Sequence, residues 1–209
     1  MTTCTLEVPT LVLMCGGAGS GKTTLSDELV KIVENSFYID KDTINATLRL
    51  TVDTSDTGIK AYGLTGPQLP RGGHYDAHVR LQSYRLMLEL AKRNLKSGKH
   101  PILEGNYTKE IIGGYIEEIV DPFFKSPEGT GYKRKLIFCW ADEETIRKRL
   151  TERNAERDLE KLKSEQSWRE FLQKEPILPL ELARYDSFPL NTTQPLEQNL
   201  PSLINYLTR

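Results

Sequence analysis

The segment Gly16-Gly17-Ala18-Gly19-Ser20-Gly21-Lys22-Thr23-Thr24 constrains this chain more than any other. It fills every position of the pattern GxxxxGK[ST], which has its meaning only where a strand ends and a helix begins. Both flanks are present: Thr10-Leu11-Val12-Leu13-Met14-Cys15 is a continuous apolar stretch that reads as a buried strand, and Lys22 to about Glu34 reads as an amphipathic helix. Glycines let backbone N–H groups turn inward around phosphate oxygens, and the following helix directs the positive end of its dipole at them. Gly17, Ala18, Gly19, Ser20 and Gly21 are therefore expected to cradle a nucleotide's phosphates. Lys22 is expected to reach the β- and γ-phosphates, the Thr23 hydroxyl a bridging Mg2+, and Thr24 to support the loop.

Composition narrows the setting. A chain of 209 residues, 38% hydrophobic and 27% charged, suits one α/β core in a single domain carrying a small inserted lid. No stretch approaches eighteen consecutive apolar residues, and Met1 to Pro9 has neither a basic nor a long apolar region, so a cytoplasmic protein is expected. The formal charge of −1, from 28 basic and 29 acidic residues, gives no general attraction toward nucleic acid or an anionic membrane. A local basic groove stays open. Cys4, Cys15 and Cys139 lack metal or redox spacing and read as reduced core residues.

Further along, Ser36-Phe37-Tyr38-Ile39 reads as a second strand ending at Asp40, followed by a short helix from about Thr43 to Leu50. Residues 51–73, rich in Thr, Asp, Gly and Pro, read as a mobile insertion and a candidate substrate flap. A long helix is expected from His74 to about Ser97, with Leu81, Leu86, Leu88, Leu90 and Leu95 among its apolar positions and Gly98 as its stop. Pro101 to Glu104 gives a third strand, Lys109 to Val120 a helix, and Lys135 to Trp140 a fourth strand. About 143–175 is charged and helical, a candidate lid; Ser187 to Leu190 and Leu196 to Leu207 complete the chain as strand and helix. Strands alternating with helices indicate a mostly parallel sheet covered on both faces.

Ligands gather at the carboxyl ends of such strands, which singles out three groups of residues. In Asp40-Lys41-Asp42, Asp42 is the candidate base for an attacking hydroxyl with Asp40 as its helper, and capping of the next helix is the alternative. Glu104, in Glu104-Gly105-Asn106-Tyr107, stands where an acid near the magnesium shell belongs, or else bonds backbone at a turn. Arg149, Arg153 and Arg157, with Arg147 beside them, fall on one face at a spacing of four. They read either as a lid over nucleotide phosphates, with Arg153 and Arg157 the preferred pair, or as a face neutralised by Glu152, Glu156 and Glu160. His74 and His78 have metal-site spacing but lack the glutamate of a zinc peptidase, and suit substrate contacts beside Arg71, Tyr75 and Arg80.

Together these motifs resemble the polynucleotide-kinase-like and zeta-toxin-like group of P-loop phosphotransferases. The residues that carry the resemblance are the loop itself, Tyr38-Ile39-Asp40-Lys41-Asp42-Thr43-Ile44, Ile102-Leu103-Glu104-Gly105, and Ala141-Asp142 leading to Arg149-Leu150 and Arg153. The resemblance implies a P-loop fold with a five-stranded parallel sheet of order 2-3-1-4-5, and transfer of the ATP γ-phosphate to a hydroxyl. It also implies that the acid after strand two is the base, that the arginines belong to a lid, and that Asn191-Thr192-Thr193 forms the adenine-side loop. Residues 51–73 depart from the pattern. The expected protein is an ATP- and Mg2+-dependent kinase acting on a small-molecule hydroxyl, with a polynucleotide 5′-hydroxyl kinase and a non-catalytic ATP sensor or switch as alternatives.

Overall fold

The computed structural model describes residues 3–51 and 79–209. The expected flap, beyond Thr51 itself, lies outside the described residues, as do Arg71, His74, Tyr75 and His78.

Five strands, β1 (Thr10–Cys15), β2 (Ser36–Asp40), β3 (His100–Glu104), β4 (Lys133–Trp140) and β5 (Ser187–Asn191), form one sheet of order β2-β3-β1-β4-β5. Every neighbouring pair is parallel. The register aligns Asp40, Glu104, Met14 and Ile137 in one row across four strands, so the acids closing β2 and β3 stand level with the residue two before Gly16. That alignment brings separate polar strand ends to one edge.

Side chains alternate faces along a strand, and both faces here are apolar. Leu11, Leu13 and Cys15 of β1 pack with Tyr84, Met87, Leu88, Ala91 and Leu95 of helix α3 (Arg80–Leu95), together with Leu136 and Phe138. Val12 and Met14 face the other way, against Leu25 and Leu29 of α1 (Lys22–Ile32) and Leu203, Tyr206 and Leu207 of α9 (Leu196–Thr208). Cys15 and Cys139 are buried free thiols within these strands, and burial raises both thiol pKa values. Among the described residues no helix is long and apolar enough to cross a membrane.

Several helices differ from their sequence reading. α2 spans Lys41–Thr51, two residues earlier than expected, because the Asp40 carboxylate accepts the backbone N–H groups of Asp42 and Thr43 at 2.9 and 2.8 Å. On α3, Leu81, Leu86 and Leu90 are exposed, and Tyr84, Met87 and Ala91 fill the core face. The helix expected over Lys109 to Val120 is two pieces: α4 (Thr108–Ile112) stops at Gly113, Gly114 turns with φ of 81°, and a π-helical turn runs over Ile116–Val120. The chain then continues into α5 (Asp121–Lys125), where Pro122 sits in the first turn and needs no N–H partner. The charged region becomes three helices, α6 (Glu143–Arg153), α7 (Glu156–Leu162) and α8 (Glu165–Lys174). Asn154, at φ 45°, ends α6 in the left-handed region, so Arg157 does not share a helix with Arg149 and Arg153 as the spacing suggested.

Candidate active site

The phosphate loop leaves β1 through Gly16, whose φ is 142° and whose Cβ, if present, would lie 2.4 Å from the carbonyl oxygen of Cys139. Only glycine fits there. Gly21, at φ 80°, ends the loop, and a Cβ on it would stand 3.1 Å from Thr192 and 3.3 Å from Arg149. Just after it, Lys22 folds back so that Nζ donates to the Gly17 carbonyl at 3.3 Å, and the Gly16 N–H donates to the Asn106 carbonyl at 3.0 Å. The loop is tied to the turn after β3.

Just before that turn, Glu104 closes β3 and is 3% exposed. Its two oxygens accept hydrogen bonds from the Thr23 hydroxyl, at 2.8 Å, and from the Tyr38 hydroxyl. These are side-chain partners, unlike the backbone alternative raised from the sequence. Burial and the Glu104 carboxylate together push the Tyr38 phenol pKa far up, so Tyr38 stays a proton donor to Glu104. A carboxylate hydrogen-bonded to the loop threonine is a donor set of hard oxygens, and it fits a hydrated Mg2+. Thr23 and Glu104 are the residues that would hold such an ion.

A cleft of about 340 Å3 opens in front of this corner. Ala18, Lys22, Asp40, Asp42, Glu104, Arg153 and Arg157 all line it, so residues named from four separate stretches of sequence converge. Asp40 and Asp42 differ within it. Both Asp40 oxygens are occupied by capping, one of them also by the Thr43 hydroxyl at 2.8 Å, whereas the Asp42 carboxylate accepts from the Arg157 guanidinium on the facing lid. Burial alone would lower the Arg157 pKa, but Asp42, Asp158 and Asp40 outweigh it and raise it.

Asp158 organises the lid's other cations. Its side chain is 1% exposed; one oxygen accepts from Lys161 Nζ at 2.8 Å and the other from Arg153, with Nε at 2.9 Å. Burial raises the Asp158 pKa, and the bonds from Lys161 and Arg153 overcome that to hold it below the usual carboxylate value. Behind these polar contacts Ile146, Leu150 and Trp168 form a small core, with Ala18 of the phosphate loop packed against it. The Trp168 indole N–H donates to Glu143 at 2.6 Å. Lid and loop are thus in direct contact.

Arg149 and Thr192 belong to a different place. Arg149 donates to the carbonyls of Gly19 and Thr192 at 3.1 and 2.8 Å and to the Thr192 hydroxyl at 2.9 Å; that hydroxyl donates to the Ser20 carbonyl at 2.8 Å. With Gly21, Thr24 and Leu190 they border a second cavity of about 350 Å3 on the β5 side of the loop. Asn191 does not border that cavity: its side chain accepts the Thr193 N–H at 2.9 Å and its carbonyl accepts from Asn199 at 3.1 Å. Arg147 points elsewhere, paired with Glu165 at 2.9 Å over the Trp168 ring.

Sequence reasoning passed over Tyr38, Asp158, Lys161, Lys109, Glu110 and Glu175, and gave Lys41 no role. The partners of Arg153 cross a helix break at Asn154, where no helical spacing applies. Tyr38 carried the best available signal, lying two residues before Asp40 on the same face of β2.

Comparison with known proteins agrees with this architecture. Among solved structures, a Chloroflexus aurantiacus protein provisionally called a kinase is 18% identical, with 96% of this chain and 97% of that one covered and a TM-score of 0.65. Shikimate kinase from Acinetobacter baumannii is 19% identical over 96% and 93% of the two chains, with a TM-score of 0.51. The tunicamycin resistance protein of Deinococcus radiodurans is 13% identical over 95% and 94%, also at 0.51. No curated protein matches the sequence. The family model described as an AAA domain, AAA_33, matches residues 11–175, from β1 to the end of the lid. With most of its length matched, the chain belongs to this AAA domain family and has its P-loop, kinase-like fold.

Proposed function

We propose that the protein is an ATP- and Mg2+-dependent kinase that transfers the γ-phosphate to a hydroxyl of a small-molecule acceptor. One observation carries the reading: a single cleft presents the loop lysine, a Thr23–Glu104 corner, a strand-end carboxylate and lid cations together, while a separate cavity for a base opens on the far side of the loop. The occurrence of this fold in proteins named as kinases supports it.

The residues divide the work as follows. The loop N–H groups and Lys22 hold the phosphates, and Arg149 with Thr192 braces the loop beside the base cavity. Thr23 and Glu104 would hold Mg2+, which when bound would supply charge neutralisation on the phosphate oxygens. Asp42 orients the acceptor hydroxyl and takes its proton. The hydroxyl oxygen bonds to the γ-phosphorus as the bond to the β–γ bridging oxygen breaks, and that oxygen leaves with the electron pair on ADP. Arg153, Arg157 and Lys161 face the transferring group and stabilise its charge. Asp40 holds the turn that aims Asp42.

Asp42→Asn tests this division. ATP binding should persist while transfer falls by about 10²–10⁴-fold. Transfer at the wild-type rate would remove Asp42 from the role of base.

A further inference from the structure

Glu104 is buried at the end of β3, and its two oxygens have different donors. One accepts the hydroxyl of Thr23, in the first turn of α1, and the other accepts the hydroxyl of Tyr38, on β2. The parallel register sets Tyr38 beside Ile102, two residues before Glu104, so the tyrosine side chain spans about 6–7 Å along the sheet to meet the carboxylate. Its ring packs against the core cluster that includes Met14, Leu25 and Ile102, and with only two side-chain torsions it holds its hydroxyl in place. Glu104 borders the cleft; Tyr38 is not among the described residues that do. Tyr38 therefore acts on the cleft through Glu104.

A carboxylate can meet a cation with one oxygen or with both. Ca2+ takes about six to eight oxygen ligands and readily accepts both oxygens of a carboxylate, whereas Mg2+ takes about six in strict octahedral geometry and keeps several waters. The Tyr38 hydroxyl occupies the second Glu104 oxygen, which leaves the first, already shared with Thr23, to face an ion. Among the described residues no group of three or more carboxylate, histidine or cysteine side chains gathers to surround one. An ion at this corner would complete its shell with water and phosphate oxygens, the arrangement that suits Mg2+.

We propose that Tyr38 is a positioning residue that sets the metal selectivity of the cleft: by holding one oxygen of Glu104 it restricts the carboxylate to single-oxygen contact and favours Mg2+ over Ca2+ beside the nucleotide phosphates. This rests on the reading of the cleft as a phosphotransfer site with a cation at Thr23 and Glu104. Partners that orient a ligating carboxylate from behind carry about 10–100-fold in metal affinity, so the loss of one hydroxyl is measurable.

The test is equilibrium binding of a non-hydrolysable ATP analogue to the full-length protein, with Mg2+, with Ca2+ and with a chelator, for wild type and Tyr38→Phe. Phenylalanine keeps the packed ring and removes only the hydroxyl, and an unaltered affinity in chelator verifies that the variant is folded with its phosphate loop intact. Wild type should bind the analogue more tightly with Mg2+ than with Ca2+. In Tyr38→Phe the affinity with Mg2+ should fall about tenfold while that with Ca2+ holds or rises, so the Mg2+-to-Ca2+ ratio drops at least about tenfold. In a Glu104→Gln background the same substitution should leave the ratio unchanged, because its effect passes through the carboxylate. Equal losses under all three conditions would make Tyr38 a structural contact only, and an undiminished effect in the Glu104→Gln background would route it elsewhere; either overturns the proposal, as does a wild type that binds equally well with both ions. Wild-type binding no tighter with Mg2+ than with chelator removes the metal corner and this proposal with it. A Mg2+ gain in wild type with an unchanged ratio in Tyr38→Phe removes this proposal alone.

Discussion

Replacing Asp158 by Asn should damage the protein twice, because one buried carboxylate holds two cleft-facing cations. The substitution keeps the shape but aims an amide N–H at either Lys161 or Arg153, leaving that cation with a donor where it had an acceptor. Breaking a fully buried pair costs about 3–5 kcal/mol, and an exposed pair contributes about 0–1. The Arg153 side chain is 37% exposed and that of Lys161 24%, so solvent screens part of the loss and about 2 kcal/mol is expected. For a chain of this size that is a fall in Tm of about 4–8 °C if the lid unfolds with the rest. The catalytic loss follows from lost preorganisation: one misplaced charge-stabilising group costs on the order of 10²-fold in kcat. The pH dependence has a definite sign. The folded pKa of Asp158 is depressed, so its contribution is complete above the unfolded value of about 4 and disappears as pH falls through the lower folded value. The stability gap between wild type and variant, measured by denaturant unfolding, should therefore be constant from pH 7 to about 5 and close below about 4. An Asp158→Asn protein with wild-type Tm and kcat would refute the argument; a lower Tm with unchanged kcat would show that Arg153 and Lys161 do not act on the transferring group.

Arg157 is bonded to Asp42, so under the proposed function ATP competes with Asp42 for it. Asp42→Asn should tighten ATP about threefold relative to ADP, and the same substitution in an Arg157→Ala background should leave that ratio unchanged; a persistent effect would mean simple charge removal. His100 is buried, accepts the Thr10 N–H through Nδ1 at 3.2 Å, and has its pKa lowered by burial and then by Lys99. The unfolded chain thus takes up a proton first as pH drops below about 6.5, and stability should decline through that range. His100→Asn should flatten the slope between pH 7 and 5, and an unaltered slope would assign it to other groups.

Much of this was legible in the sequence, for reasons that can be named. The phosphate loop has a local pattern, and β1 and β4 are long apolar runs because both their faces are covered, so strand positions and their polar ends followed directly. The resemblance to P-loop phosphotransferases supplied the strand order, which the structure shows. Asp40 and Asp42 were recognisable as a pair, but which one capped the helix depended on where α2 begins, a matter of one turn. The Arg149–Arg153–Arg157 series was misleading, since spacing assumes an unbroken helix and Asn154 ends it. Asp158, Glu110 and Lys41 were hidden for a further reason: each looks like an ordinary surface charge until tertiary packing buries it. Glycines divided the helix expected after β3, at Gly113 and Gly114, where an apolar count alone sees continuity.

The central claim is that this cleft moves a phosphoryl group from ATP to an alcohol. Incubation of the pure protein with γ-labelled ATP, Mg2+ and pooled nucleosides, sugars, hydroxy acids, sugar phosphates and short 5′-hydroxyl oligonucleotides measures that directly, with Lys22→Ala as the control. The account predicts label on a hydroxylated small molecule, and none with the control. Label on the acceptor that persists undiminished in Lys22→Ala, or ATP bound in the cleft with no acceptor labelled in any pool, would contradict it.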